Sequence, residues 1–235
     1  MYDRSYAPGD PTISLADFER GYLIKGGEFW KRDNYADRMP GEAFEYSNVG
    51  AALAALGLEV VAGQSYAEVV QDRILDPLGM DSSGFYLSDL SQDPATLYGT
   101  FLGGGWKPYE QYGFPTYPDG LMRSSANDLA RYLAAILSDE PGILSAERVA
   151  EMLTVDESAG TDEDGQAIAW SRRELGGRAL YGHNGFDYGA LTEVWIDVEE
   201  GTGIAIVINA DYINSAPWED LFALEDALLD LVESE

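Results

Sequence analysis

The sequence predicts an α+β protein in which a mostly helical middle region is followed by an antiparallel sheet and a C-terminal helix. Ser65 and Ser125 are each followed three residues later by an acidic residue, the pattern of a capped helix N-terminus. After Ser125 the apolar residues fall three and four apart, as on one face of a helix. Near residue 190 the period changes to two, which is typical of strands.

The first part of the chain, residues 1–40, is polar and rich in turn residues, and "SLADFERGYL" is its one predicted helix. From Ser47 to about Ala62, small apolar residues predict a helix packed on most sides that ends at Gly63. A third helix is predicted from Ser65 to about Leu75, where Pro77 should stop it.

Residues 81–121 lack a regular pattern and are rich in aromatic residues. We predict a long loop here, either a functional lid or a surface loop whose aromatic rings cover the core. Beyond it, Ser125 and Ser145 should cap two helices, the second running to Leu153. The sequence thus divides into a turn-rich segment (1–40), a mostly helical region (41–170) and a region of antiparallel strands with a C-terminal helix (171–235).

Within the last region, "ALTEVWIDV" alternates and "IAIVINA" is almost continuously apolar, with the turn "EEGTG" between them. This pattern predicts a β-hairpin whose second strand is covered on both faces. Val194, Ile196 and Val198 should share one face of the first strand. Pro217 is tolerated at the first position of a helix, so we expect the final helix to begin there.

The charge of the chain is strongly negative, with 42 acidic against 14 basic residues and a net charge of −28. Such a field repels nucleic acids and anionic membrane surfaces, so neither is an expected partner. Only three bases are lysines, which favours a salt-adapted source over an ordinary acidic protein. No cysteine and one histidine are present, so we expect no disulfide, no metal site and no cofactor. We see neither a secretory signal nor a transmembrane run, and expect a cytoplasmic protein.

Two short stretches carry candidate chemistry. Tyr46, Ser47 and Asn48 stand together before the predicted second helix, either as capping residues or facing a cleft. The lone histidine, His183, lies between Gly182 and Gly185, where it could be structural or catalytic. There is no Gly-x-Ser-x-Gly nucleophile elbow, and the run of three glycines at 103–105 has no Lys-Ser/Thr behind it, which argues against a phosphate-binding loop.

In order along the chain, "PGEAFEYSNVGAALAALGLEVVAGQSYAEVVQDRILDPLGM", "YPDGLMRSSANDLARYLAAIL", "ILSAERVAEML" and "YGHNGFDYGALTEVWIDVEEGTGIAIVIN" resemble the serine β-lactamase-related hydrolases. That family includes class C β-lactamases, D-alanyl-D-alanine carboxypeptidases and β-lactamase-like esterases. The resemblance implies a β-lactamase/transpeptidase-like fold and a substrate that is a β-lactam, a D-alanyl peptide or a small ester. Tyr46 and Asn48 match the family's Tyr-x-Asn motif, and His183 and Gly185 match its Lys/His-x-Gly motif.

The family's nucleophile motif, Ser-x-x-Lys, is absent, because no serine here has a lysine three residues later. The N-terminal part of the family fold also has no counterpart, so we expect an exposed sheet edge and apolar face. The chain is then a fragment, one half of an enzyme that pairs with a missing N-terminal half, or a degenerate member; self-association is also plausible. Without the lysine, Tyr46 should stay protonated, since lowering its pKa by ~3 costs about 4 kcal/mol.

Two functions follow from these observations. The first is acyl transfer with Tyr46 relaying a proton, Asn48 orienting the substrate and His183 near the leaving-group side. The second is a non-catalytic binding module whose cleft is lined by Trp106, Tyr109 and Tyr112, with Gly185 also touching the ligand. The remaining alternative is a truncated relic of the fold that has no function of its own. The serines nearest the motifs, Ser47, Ser124 and Ser125, are interpreted as helix caps or helix-start residues rather than substitute nucleophiles.

Overall fold

The computed structural model describes residues 5–100, 104–139, 142–155, 165–211 and 218–233. The chain divides into two compact units, each made of separate stretches. The first unit comprises the described residues of Met1–Asp76, Asp81–Pro94 and Glu110–Ser124, and the second those of Pro77–Met80, Ala95–Tyr109 and Ser125–Glu235. Both α-helices and antiparallel strands are present, which confirms the α+β prediction.

Helices of the first unit begin at the predicted caps. Its elements are β1 (Ala7–Pro8), α1 (Leu15–Leu23), α2 (Asn48–Ala62), α3 (Tyr66–Val70) and β4 (Tyr112–Gly113). Ser65 and Glu68 form the predicted capping box, and α2 ends at Gly63 in the left-handed conformation, with φ of 69°. The helical path does not stop before Pro77, because a π-helical turn (Gln71–Leu75) leads into α4 (Asp76–Leu78).

The prediction that α2 is packed on most sides is wrong. Only Val49, Ala52 and Ala55 are buried on this helix, while Val60 and Val61 are 79% and 86% exposed. The small apolar residues correctly predict a helix, but among the described residues the partners of α2 cover one side only. The helix therefore presents an apolar face to solvent.

Aromatic side chains form much of the interior of the first unit. Phe18 is fully buried and stacks between Tyr22 and Phe29, at centroid distances of 5.8 and 5.0 Å. Tyr117, from a 3₁₀ turn, donates from its hydroxyl to Glu59 Oε1 at 3.0 Å and so fastens α2 to that turn.

Residues 81–121 contain more regular structure than the predicted loop. β2 (Leu97–Thr100) pairs with β3 (Trp106–Tyr109), and β4 pairs with β1. Pro108, which lacks an N–H, obscured β3 in the sequence, yet it lies in a two-stranded ribbon where a missing donor is tolerated. The prediction of one long irregular loop over residues 81–121 is therefore wrong, because three short strands lie within it.

The second unit is built on a four-stranded antiparallel sheet in the order β5-β6-β7-β8. Its elements, besides β2 and β3, are α5 (Ala126–Leu137), α6 (Ala146–Met152), β5 (Ser171–Leu175), β6 (Arg178–Asp187), β7 (Ala190–Asp197), β8 (Thr202–Ile208) and α7 (Trp218–Glu233). The predicted hairpin is confirmed as β7 and β8. Pro217 lies outside the described residues, and α7 is described from Trp218.

Side chains on β7 alternate between two cores, one on each face of the sheet. Ile196 packs with Leu133 of α5, whereas Trp195 packs with Leu180 and with Leu229 of α7. We call these the α5 face and the α7 face. The expected full cover of β8 is not found: Ile204 is its one buried apolar residue among those described, and Val207 is 43% exposed. Val198, predicted to share a face with Ile196, lies beyond the end of β7 and is exposed.

Between Thr202 and Ile208 the outer edge of β8 has no ladder partner among the described residues; just beyond it, Tyr98 of β2 forms an isolated parallel bridge with Ala210. This agrees with the expected exposed sheet edge. In the described part of the chain, no single helix is long and apolar enough to cross a membrane, and the bent pair Asn48–Ala62 and Tyr66–Leu78 passes that test only when joined.

Candidate active site

The Tyr46-x-Asn48 motif lies at the N-terminus of α2. Ser47 is the N-cap, and its Oγ accepts from the Gly50 N–H at 3.0 Å. This cap fixes the backbone so that the Tyr46 hydroxyl donates to Asn48 Oδ1 at 3.0 Å. Tyr46 is 60% exposed, so its hydroxyl is accessible from solvent. The helix N-terminus carries partial positive charge, which favours negative charge developing nearby.

The serines near the motifs are engaged in structural hydrogen bonds. Ser47 and Ser125 are confirmed as helix caps, since Ser125 Oγ accepts from the Asp128 N–H. Ser124 is neither a cap nor a helix-start residue: its hydroxyl lies 2.7 Å from that of Ser83, which is buried. The local pattern could not show this bond, because Ser83 is 41 residues away in sequence.

The second motif, His183-x-Gly185, lies on β6. His183 is opposite Val194 and Gly185 opposite Thr192. A Cβ at Gly185 would stand 2.6 Å from Thr192 Oγ1, so a larger residue here would have to displace the Thr192 hydroxyl. His183 Nδ1 is 2.5 Å from the Asn184 carbonyl oxygen, a distance at which Nδ1–H donates.

The three aromatic residues predicted to line a cleft are divided between the units. Trp106 and Tyr109 lie on β3 in the second unit, and Tyr112 lies on β4 in the first, where it packs against Tyr6 and Phe114. Trp106 is 46% exposed. Tyr109 packs edge-on against Tyr188, at 5.8 Å between centroids.

Tyr109 is held as a neutral phenol. Burial raises its pKa, and the neighbouring charge of Asp211, to which its hydroxyl donates, raises the pKa further. Asp211 is itself fully buried and accepts from the Gly189 N–H at 2.7 Å. The Tyr109 hydroxyl is therefore held by a group in the protein interior.

Each predicted motif is thus assembled locally, Tyr46 with Asn48 in the first unit and His183 with Gly185 in the second. Among the described residues, no group of three or more His, Asp or Glu side chains is placed to hold a metal ion. The chemistry available to these residues is hydrogen bonding and proton transfer.

Comparison with known proteins identifies the group to which the chain belongs. A beta-lactamase family model matches residues 12–228, almost the whole chain. The chain belongs to the beta-lactamase family. This match confirms the family resemblance found in the sequence.

Solved structures and curated relatives of this family match most of the chain. The octameric penicillin-binding protein homologue from Pyrococcus abyssi is 27% identical, with a TM-score of 0.71 over 94% of this chain and 53% of its own. The penicillin-binding protein from Bacillus halodurans has a TM-score of 0.73 at 22% identity, covering 94% of this chain and 65% of its own. The unguisins hydrolase ungD' of Aspergillus campestris is 26% identical over 203 residues, 82% of this chain.

These matches also show that the chain is shorter than its relatives. It spans 38% of the length of the unguisins hydrolase, and about half to two thirds of the two penicillin-binding proteins. The β-lactamase-like fold is nevertheless shared along nearly the full length of this chain, as the predicted fold class requires.

Sequence patterns did not single out one polar group in the second unit. Arg173, Glu193 and Glu225 lie between the sheet and α7, with both glutamates fully buried. The signal available was Glu193 itself, a charged residue between Leu191 and Trp195 on the inward-facing positions of an alternating strand.

Proposed function

We propose that this chain is the part of a β-lactamase-like serine acyl-hydrolase that carries the Tyr-x-Asn and His-x-Gly motifs, and that its nucleophilic serine comes from a segment outside this sequence. The observation that carries the proposal is the hydrogen bond between Tyr46 and Asn48 at the N-terminus of α2. The Ser47 hydroxyl caps the helix. The Tyr46 phenol and the Asn48 amide are therefore the two side-chain groups of the motif that can take part in catalysis.

Each motif residue then has a role in acyl transfer. Tyr46 relays the proton of the attacking serine to the leaving group, and its bond to Asn48 aims the phenol. Asn48 orients an amide or carbonyl of the substrate. His183 lies on the leaving-group or carboxylate side, and Gly185 lets the substrate backbone approach β6.

Two surfaces support the proposal that further polypeptide completes the site. One is the apolar face of α2, where Val60 and Val61 are exposed. The other is the edge of β8 between Thr202 and Ile208, which has no ladder partner among the described residues; beyond it, Ala210 bridges Tyr98 of β2. Both fit a missing N-terminal half, and the greater length of the relatives supports the same partner. A second copy of the chain is the alternative partner, since the Pyrococcus homologue is octameric.

The substrate we propose is a β-lactam, a D-alanyl peptide or a small ester, all of which are cleaved by acyl transfer. Penicillin-binding proteins are among the structural neighbours. Trp106, which is 46% exposed on β3, offers apolar contact area for such a ligand, whereas Tyr109 lies on the opposite face of the same strand.

The test begins with the coding sequence upstream of Met1, where a Ser-x-x-Lys motif is expected. This chain is then produced together with that segment, and acylation by a fluorophosphonate probe and by penicillin is followed by intact-mass spectrometry. Tyr46→Phe should slow acylation by ~10²–10⁴-fold, the usual contribution of a positioned proton relay. Tyr35→Phe removes another phenol hydroxyl of the first unit, one that donates to the Leu23 carbonyl oxygen; it is the matched control and should not slow acylation. Equal rates for the two variants would refute the role of Tyr46.

The second candidate function is a non-catalytic binding module. It is favoured by one observation, the absence of any serine with a lysine three residues on. This alternative predicts that ligand binding persists unchanged in Tyr46→Phe and that no acyl adduct forms under any condition. Titration calorimetry with penicillin and with a D-alanyl dipeptide distinguishes the two functions.

A further inference from the structure

The outer edge of β8 offers backbone groups to a further strand over a defined length. Among the described residues, the ladder of β8 is formed with β7, over the seven residues Thr202–Ile208. Just beyond this stretch the edge is closed, because Tyr98 of β2 bridges Ala210. A strand added to this edge would therefore run along Thr202–Ile208 and end at β2.

The bridge to β2 shows which backbone groups of β8 point outward. Its two hydrogen bonds are made by the Asn209 carbonyl oxygen and the Asp211 N–H. Successive residues of a strand direct their N–H and C=O groups to opposite sides, so Gly203, Ala205 and Val207 share the outward direction of Asn209 and Asp211. These three residues carry the N–H and C=O groups that an added strand would bond.

Helix α5 lies over this last strand of the sheet. It packs mainly against β8 and less against β7. An α-helix with its side chains is ~10 Å wide, whereas neighbouring strands are ~4.8 Å apart, so one helix covers about two strands. Part of α5 therefore extends beyond β8, and Ala130 and Ala134 on that helix are exposed. An added strand would lie under this part of the helix.

A groove of about 390 Å³ runs around the same edge. Because α5 and α7 pack on opposite faces of the sheet, a groove that touches both helices must pass the edge of β8. The Thr202 hydroxyl oxygen is buried beside it and has no hydrogen-bond partner among the described residues. All the residues that line the groove are uncharged, in a chain of net charge −28. They include Ala130, Ala134, Gly201, Gly203, Ala205 and Val232.

The position of α5 distinguishes a bare strand from a second copy of the chain. Antiparallel pairing of two β8 edges would place two α5 helices over strands that are ~4.8 Å apart, whereas packed helices need about 8–10 Å between their axes. The second copy would also bring a further charge of −28. A strand without a helix of its own avoids both the overlap and the repulsion.

We infer that the edge of β8 is the docking surface for one added β-strand, about seven residues long and apolar on both faces, supplied by the polypeptide that completes the enzyme. Main-chain hydrogen bonds to Gly203, Ala205 and Val207 hold the strand, and its two faces pack under α5 and beside the end of α7. The source of the strand rests on the proposed function, whereas the docking surface is a property of this chain.

Amide hydrogen exchange of the ¹⁵N-labelled chain tests this inference. It is measured by NMR in molar salt, for the chain alone and with the unlabelled segment encoded upstream of Met1. The amides of Gly203, Ala205 and Val207 should exchange fast in the chain alone and about 100-fold more slowly with the segment. The amides of Ile204 and Ile206, which point towards β7, should be protected in both samples. Slowing at alternate residues is the signature of an added strand.

Two variants block the edge in different ways. Ala205→Pro removes one outward N–H and leaves the hydrogen bonds between β7 and β8 in place, so the slowing at Gly203 should disappear. Val207→Lys places a charge at a position that is 43% exposed, and it tests the inference even if Ala205→Pro does not fold. Ile168→Lys is the matched control: this apolar residue, 61% exposed, precedes β5 at the opposite edge of the sheet, and its substitution should leave the slowing intact.

Outward amides that exchange equally fast with and without the segment would overturn the inference. Protection of these amides in the chain alone that increases with its concentration would also overturn it, because a second copy would then be the occupant. Acylation measured on the same samples separates this inference from the proposed function. A complex that is acylated without protection of the edge contradicts the docking alone, and protection without acylation contradicts the hydrolase function alone.

Discussion

Glu19, on α1 in the first unit, is a buried acid whose ionisation should govern the pH dependence of stability. It is 1% exposed, and neither carboxyl oxygen has a hydrogen-bond partner among the described residues. Burial is the main cause that raises its pKa from 4.5 to about 7, and the nearby charge of Asp119 is the second. The perturbation we choose is Glu19→Gln, which keeps the shape of the protonated acid and removes the titration.

The sign and size of the effect follow from proton linkage. A carboxyl whose folded pKa is raised contributes stability that is fully present below the unfolded value of 4.5 and is lost as pH rises through about 7. This difference corresponds to about 3 kcal/mol at most, from 1.36 kcal/mol per pKa unit. Glu19→Gln should therefore match the unmutated chain at pH 4.5 and exceed it by up to ~3 kcal/mol at pH 8.

The measurement is urea unfolding at both pH values in molar salt, followed by the indole N–H signal of Trp30, which lies in the same unit. Glu28→Gln, at an exposed position of that unit, is the control and should show the pH dependence of the unmutated chain. The reasoning is refuted if the stability curves of Glu19→Gln and the unmutated chain stay parallel between pH 4.5 and pH 8.

Three further outcomes are expected. Arg173→Met leaves two buried carboxylates without their cation, so the free energy of unfolding at pH 8 should fall by about 3–5 kcal/mol, and by less at pH 5; equal losses at both pH values would contradict this. Gly189→Ala and Gly201→Ala both place alanine at positive φ, near 70°, but only at Gly189 would the new Cβ lie 2.5 Å from Leu97 Cβ. The backbone conformation alone should lower the free energy of unfolding by ~1–2 kcal/mol at either position. Calorimetry should therefore show a larger decrease for Gly189→Ala than for Gly201→Ala. Raising the salt from 0.1 to 2 M should raise the melting temperature, because it screens a net charge of −28; a salt-independent melting temperature would argue against adaptation to salt.

Local signals predicted the elements best, since their causes lie within a few residues. Ser65 and Glu68 close a capping box over three residues, and Gly63 ends α2 in the conformation that glycine permits. The β7–β8 hairpin likewise follows from an alternating stretch and an almost continuously apolar stretch on the two sides of one turn. Tyr46 and Asn48 are two residues apart in sequence, so the hydrogen bond between them also forms locally.

Burial and charge clusters could not be predicted from local sequence, because they depend on residues that are far away along the chain. An apolar pattern shows that Val60 and Val61 can be buried, but not whether a partner covers them, and in the described structure none does. Glu193 looked like one acid among 42, and its importance comes from Arg173 and Glu225, which are 20 and 32 residues away in sequence. Its position on an inward-facing strand site was the one local clue.

The central claim is that this chain carries the proton-relay and substrate-binding motifs of the beta-lactamase family without the nucleophile. The most direct test is intact-mass spectrometry of the purified chain alone, in low and in molar salt, after exposure to a fluorophosphonate probe and to penicillin. For a sample shown to be folded, the account predicts no adduct in either salt. A stoichiometric adduct would contradict it, and peptide mapping would then identify a serine nucleophile within this chain.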